Sequence, residues 1–278
     1  MTIAIAIRTG SAAIFAADSK VTVPGLVGLD ADGNPKWEDQ TYDNATKVVH
    51  DRSRTLMAMV AGYGTIGQIA ATDFISMKSL NFLTDLTDDQ DKRINQLVEE
   101  MFERKRAYWE KTQVPPESWP GPTVLLAAPS LKENLPRIWN ADLNGKAPTV
   151  SEILTEPGIL LEGTYGEVFS LLYGYHIEVI QGAFTELKIT REQRLEAFKK
   201  MKVLRPIDKL NLWAIPVQDA IDLAVFLATV QVEMERFLPG TPACGGPIDV
   251  MTLQMAPEAG IVTYPGKIPH HPRASRVD

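Results

Sequence analysis

Apolar residues fall along the first sixty positions in short, nearly unbroken runs: Thr2–Ile7, Ala12–Ala17, Lys47–His50 and Thr55–Ala61. Runs of this length without regular polar alternation read as strands buried on both faces. Arg8-Thr9-Gly10-Ser11 and Asp51-Arg-Ser-Arg54 would close them into two hairpins. Between the hairpins the chain is polar from Pro24 to Ala45, with Asp32-Gly33 inside it. That stretch reads as a long excursion, and loops of such length inside a domain are usually functional or mobile.

Further on, the apolar period changes. Ile66, Ile69, Ala70, Phe74, Ile75 and Met77 recur at mostly helical spacing between Thr65 and Leu80. A second amphipathic helix is expected from about Asp88 to Lys111, acidic at its start and carrying Arg104, Lys105, Arg106 and Lys111 near its end, as the helix dipole favours. Pro115-Pro116 ends it. Thr123–Ala128 and Arg137–Leu143 read as strands, followed by Ile159–Leu161 and then a helix over Glu167–Ile180. Thr190, with Gln193 three residues on, has the spacing of a capping box and opens a polar helix to Met201. The strongest helical pattern runs from Pro216 to Phe237, with Val217, Ile221, Ala224, Val225, Ala228 and Val232 on one face. Ile248–Met255 and Gly260–Thr263 read as late strands, and Pro265–Asp278 as a Pro-rich basic tail. Helices in blocks between groups of antiparallel strands imply an α+β fold.

The chain has 278 residues and no linker-like segment, so one domain is expected over residues 1–264, with 265–278 as a tail. With 28 basic and 35 acidic residues, the formal charge is −7 and the basic residues are scattered, which argues against a nucleic-acid partner. No apolar run reaches the length of a membrane span, and no signal-peptide pattern stands at the N-terminus. The single cysteine, Cys244, precludes an intrachain disulfide and suits a reducing, cytoplasmic setting. With no His/Asn constellation around it, Cys244 reads as a buried structural thiol. His270-His271 in the tail read as solvated, Asp88-Asp-Gln-Asp91 as a helix start, and Met101, Phe102, Tyr108 and Trp109 as core or subunit interface. No metal and no cofactor are expected.

The chemistry begins at Thr2. If Met1 is removed, one residue carries both a hydroxyl nucleophile and a free α-amine to serve as its base. There are only four histidines and no Gly-x-Ser-x-Gly elbow, so a histidine-based triad has little support. Taken singly, Thr in second place and Lys47 are ordinary features. Their combination with Asp18, with Met57-Ala-Met-Val-Ala-Gly62 and with Cys244-Gly-Gly-Pro-Ile-Asp-Val250 resembles the N-terminal-nucleophile (Ntn) hydrolases of the proteasome β-subunit type. Among these the chain is most similar to bacterial proteasome homologues such as Anbu and the betaproteobacterial proteasome homologue. Residues 131–158 and 181–215 carry little of the likeness.

The resemblance implies a four-layer αββα sandwich and a threonine-type endopeptidase acting through an acyl-enzyme on Thr2. It also implies a homo-oligomeric ring, with a peptide or unfolded protein as substrate and an unfoldase as a possible partner. In its terms Asp18 and Lys47 pair beneath Thr2, the backbone N–H of Gly62 stabilises the oxyanion, and the hydroxyl of Thr164 holds the terminal amine. Val21, Ala45, Val49, Val60 and Gly64 would line the pocket for the residue before the scissile bond, with a substrate-binding backbone strand near Thr22. The small aliphatic lining suits an apolar side chain. Two departures stand out. The stretch from Asp18 to Lys47 is longer than in typical relatives, and near Thr241–Cys244 there is neither the family's usual aspartate nor a serine at the place of Cys244. An Ntn amidase acting on a small amide, and a catalytically silent structural subunit or binding chamber, are the other readings the sequence leaves open.

Overall fold

The computed structural model describes residues 2–29, 35–83, 89–112, 114–202, 206–240, 242–255 and 260–263. Met1, Asp32-Gly33, Asp88 and the tail with His270-His271 lie outside them. Mixed helix and sheet make up the architecture. In chain order the strands are β1 (Ile3–Arg8), β2 (Ala12–Asp18), β3 (Val21–Leu29), β4 (Pro35–Tyr42), β5 (Val48–His50), β6 (Met57–Gly62), β7 (Thr65–Ile66) and β8 (Ile69–Ala70). Helices α1 (Ala71–Ser76) and α2 (Gln90–Trp109) follow, then β9 (Pro122–Ser130), β10 (Leu135–Asp142), β11 (Thr149–Ile153) and β12 (Gly158–Gly163). The chain continues with α3 (Gly166–Tyr173), α4 (Ile177–Glu186), α5 (Arg191–Lys202) and α6 (Val217–Glu235), and then β13 (Ile248–Gln254) and β14 (Gly260–Thr263).

Two five-stranded antiparallel sheets dominate, ordered β12-β1-β2-β13-β14 and β11-β10-β9-β6-β5. Strand alternation divides their side chains between three apolar clusters. Ile3, Ile5, Ile7 and Ile14 turn one way, onto Val168 and Leu172 of α3 and Ile221, Ala224 and Ala228 of α6. Ala4, Ala6, Ala13, Phe15 and Ala17 turn the other way and pack with Met57, Met59, Leu125, Ala127 and Ile138 of the second sheet. The opposite face of that second sheet, through Ala58, Val60, Leu126 and Trp139, meets Phe74, Ile94, Leu97, Met101 and Phe102 of α1 and α2. Every residue of β1 and β2 is therefore buried, which explains the absence of polar alternation in the first two runs.

Several sequence expectations change here. The polar stretch after Pro24 is largely a β3–β4 ribbon with a register shift between Leu26 and Gly28. It pairs with neither large sheet. The helix expected from Thr65 shortens to α1, because β7 and β8 form a small hairpin around Gly67, whose φ is +72°. The helix expected over Glu167–Ile180 breaks at Gly174, which caps α3 in the left-handed region at φ +81°. Strand β11 carries no apolar run and was not expected. The capping box at the start of α5 does form, with Thr190 N–H to Gln193 Oε1 at 2.9 Å and Gln193 N–H to Thr190 Oγ1 at 3.3 Å.

Lys105 also departs from its expected place. It stands near the end of α2 yet is fully buried, its ammonium donating to the carbonyls of Trp119 (3.3 Å), Gly145 (2.9 Å) and Leu143. Three donors meeting three acceptors satisfy the group without a carboxylate. Burial still pulls its pKa down to about 8. Met101 and Phe102 enter the core as expected, whereas Tyr108 and Trp109 form an edge-to-face pair that reaches Tyr63 at the mouth of the cavity described next.

Candidate active site

Strands β1 and β2 run antiparallel with Ala4 opposite Ala17, so the start of β1 lies beside the end of β2. That register brings Thr2, 4% exposed, close to Asp18, 0% exposed. Asp18 is the centre of the arrangement. Its Oδ1 accepts from Ile3 N–H at 3.1 Å and from Lys47 Nζ at 2.7 Å, and its Oδ2 accepts from Gly245 N–H at 2.9 Å and Lys20 N–H at 3.2 Å. Lys47, 7% exposed, is carried to this point just before β5; its carbonyl accepts from Val60 N–H at 2.9 Å and its own N–H reaches Asp249 Oδ2 at 3.3 Å.

Burial pushes the Asp18 carboxyl up and the Lys47 ammonium down. The opposite charge of each partner resists both shifts, and the two backbone N–H groups at Oδ2 add to the resistance on the Asp18 side. A buried cation held this way is a local source of positive potential for whatever lies above it. On the neighbouring loop, Ser19 is fixed by its N–H to Gly245 O at 3.1 Å and its hydroxyl to Pro247 O at 2.5 Å, while Ala45 N–H donates to Ser19 O at 2.9 Å. Four chain segments thus converge on one carboxylate.

Above the pair opens a cavity of about 480 Å³ in whose wall Thr2, Lys20, Val21, Thr22, Ala45, Thr46, Lys47, Val60, Gly62, Tyr63, Gly64, Thr65, Ala70 and Thr72 all take part. Thr2, Lys47 and Gly62 are thereby brought to one space, together with Val21, Thr22, Ala45, Val60 and Gly64 of the expected substrate wall. Gly62 sits exposed at the rim with φ +75°, a conformation that glycine adopts freely. Asp18 lies beneath, outside the wall.

Two expected residues are placed differently. Val49 packs in the apolar cluster with Leu56, Phe74 and Ile75 and is not among the residues lining the cavity. Thr164 reaches Thr2 through its backbone, N–H to Thr2 O at 2.7 Å, and its hydroxyl is not the group that makes the contact. Other contributors escaped the sequence reading. Gly163 has φ +80°, and a Cβ there would overlap the carbonyl oxygen of Thr2. Gly245, within the Cys244–Val250 motif already singled out, proves to donate to Asp18 from the far end of the chain. Tyr63, Thr65, Ala70 and Thr72 also line the cavity and belong to the small β7–β8 hairpin and its neighbours, which carry no motif.

Cys244 is 1% exposed, and burial, with the charges of Asp18 and Glu235, pushes its thiol up to about 12. A thiol so far from ionisation is no nucleophile at neutral pH. The adjoining loop is tied to α6 by Ala243 N–H to Glu235 Oε2 at 3.0 Å, and Gln231 of the same helix accepts from Glu167 N–H (3.2 Å) and Val168 N–H (3.4 Å) at the start of α3. Among the described residues no three of His, Cys, Asp and Glu gather as a metal site, and no helix is long and apolar enough to cross a membrane.

No protein-family model matches the chain, and no curated protein matches it either. Solved structures do. Anbu (ancestral beta-subunit) from Yersinia bercovieri matches over 94% of this chain and 86% of its own, with 14% sequence identity and a TM-score of 0.47.

Proposed function

We propose that this protein is an N-terminal threonine endopeptidase, and the observation that carries the reading is the buried Lys47–Asp18 pair, 2.7 Å apart, at the floor of a cavity that Thr2 and Gly62 both line. Removal of Met1 frees the α-amine of Thr2. That amine, directly or through a water, takes the proton of Oγ as Oγ attacks the carbonyl carbon of the substrate. The Lys47 ammonium favours the ionised hydroxyl and the neutral amine, since a nearby cation lowers both pKa values. Gly62, at the rim, offers its N–H to the developing oxyanion. Collapse of the tetrahedral intermediate expels the amine product, which takes the proton, and leaves an ester on Thr2; water then hydrolyses that ester by the same route.

The three apolar clusters support a four-layer αββα sandwich, read as one domain over residues 1–264. In this reading the protein works as a homo-oligomeric ring in the cytoplasm on peptides or unfolded chains, with or without an unfoldase. The apolar wall of Val21, Ala45, Val60 and Ala70 favours an aliphatic side chain before the scissile bond.

A catalytically silent chamber is the second reading. It is favoured by an inert thiol at Cys244, where relatives place a serine. Intact mass spectrometry with an epoxyketone or β-lactone separates the two. Loss of Met1 plus one adduct on the wild type and none on Thr2→Ala supports the peptidase; a processed chain that takes no adduct, or a retained Met1, supports the silent chamber.

A further inference from the structure

The cavity beside Thr2 is unbalanced in charge. The chain carries 35 acidic residues against 28 basic ones, yet among the described residues the cavity wall contains two lysines and neither Asp nor Glu. One of the two cations is already answered, because the Lys47 ammonium is held by Asp18 at 2.7 Å. The other is not. Lys20 gives its backbone N–H to Asp18 Oδ2 at 3.2 Å, but its ammonium makes no ion pair among the described residues. Its stem crosses Gly245 so closely that a Cβ there would stand 3.1 Å from Lys20 Cδ. Asp43 borders the same glycine, with Oδ1 at 3.9 Å from that Cβ position. Lys20 is itself half-buried and shares the cavity wall with Val21 and Val60, surroundings that screen a charge less than open water does.

From this we infer that Lys20 is a specificity-determining residue, and that the cavity favours substrates presenting a carboxylate next to the acyl group held at Thr2. The threonine, tyrosine and backbone groups of the wall can hydrogen-bond a ligand but cannot neutralise the cation. In a peptide the only available anions are carboxylates, either an Asp or Glu side chain or the free C-terminus. The inference rests on the peptidase reading for the nature of the substrate, while the placement of Lys20 stands apart from whether Thr2 reacts.

Binding to the Thr2→Ala protein tests it without requiring turnover. Two matched pairs of blocked tripeptides are titrated calorimetrically: Ac-Ala-Val-Glu-amide against Ac-Ala-Val-Gln-amide, and Ac-Ala-Val-Leu as free acid against its amide. The acidic member of at least one pair is expected to bind roughly fivefold tighter or more at low salt. The first pair reports a side-chain carboxylate and the second a terminal one. In the Thr2→Ala, Lys20→Met double variant the ratio should fall to about one, while Lys20→Arg should keep it. Equal binding within both pairs, or a preference that survives Lys20→Met in a protein whose thermal melt is unchanged, overturns the proposal. If the acidic preference is present but the wild type takes no electrophile, the peptidase reading alone fails; if the adduct forms and no preference is found, only the role of Lys20 fails.

Discussion

Replacing Asp18 by Asn tests whether the buried pair is the structural centre of the site. The carboxylate is fully buried and accepts four hydrogen bonds, two on each oxygen. An amide is nearly the same shape, but only one of its two heavy atoms accepts. If the amide oxygen faces Ile3 N–H and Lys47, its NH₂ meets the N–H groups of Gly245 and Lys20, leaving two donors opposed; the reverse orientation sets the NH₂ against an ammonium. Either way Lys47 keeps a buried charge without a counter-charge. Removing one partner of such a pair costs ~3–5 kcal/mol, and the displaced N–H groups place Asp18→Asn toward the upper part of that range. Urea unfolding at pH 7, followed by tryptophan fluorescence, reads the loss directly. Adding Lys47→Met should return about 1–3 kcal/mol, because an apolar side chain no longer needs a counter-ion. A single variant within about 1 kcal/mol of wild type, or a double variant that is simply additive, would refute the reasoning.

Three further outcomes follow from the same geometry. Gly163→Ala should cost more than about 2 kcal/mol and abolish adduct formation at Thr2, since a left-handed φ and an overlap with the Thr2 carbonyl act together; a melt equal to wild type would contradict it. Lys105, held near pKa 8 in the fold, retains its proton to about 10.4 in the unfolded chain, so the unfolded state binds more protons in between and stability should rise with pH. The expected slope is up to ~1.4 kcal/mol per unit, read as the difference between wild type and Lys105→Met in urea titrations from pH 8 to pH 10; a flat or falling difference sinks it. Cys244, buried with its thiol near 12, should resist a thiol-disulfide reagent such as DTNB in the folded protein at pH 8 and react at once in urea; rapid labelling of the native protein would show the loop beneath the site to be open.

Much of the fold was legible because burial left a mark on the sequence. The hairpins β1–β2 and β5–β6, both late strands, and helices α2 and α6 were all signalled by apolar runs or helical spacing. What escaped is what tertiary contact decides. Strand β11 buries too little to carry a pattern, and one glycine, Gly174, divides a continuous apolar stretch into two helices. Lys105 reads as a solvated charge until three carbonyls from other segments enclose it. In the candidate site, Thr2, Asp18, Lys47 and Gly62, singled out by residue type, do lie close together. The orientations that keep Val49 out of the cavity and give Thr2 a backbone contact to Thr164 depend on register, which residue types do not state.

The hydrogen bond from Gly245 to Asp18 spans 227 positions of sequence. At a ribosomal pace of about 5–20 residues per second, roughly 10–45 s separate the synthesis of those two residues. Throughout that interval Asp18 has neither the Gly245 N–H nor the neighbouring strand β13, which pairs with β2 along its whole length from Asp18 to Ala12. A nascent chain therefore carries all the reactive groups of the site but not the support that orients them. If the peptidase reading holds, competence arrives with the last large strand, and a chain truncated before Gly245 should take no electrophile at Thr2 however well its first half folds.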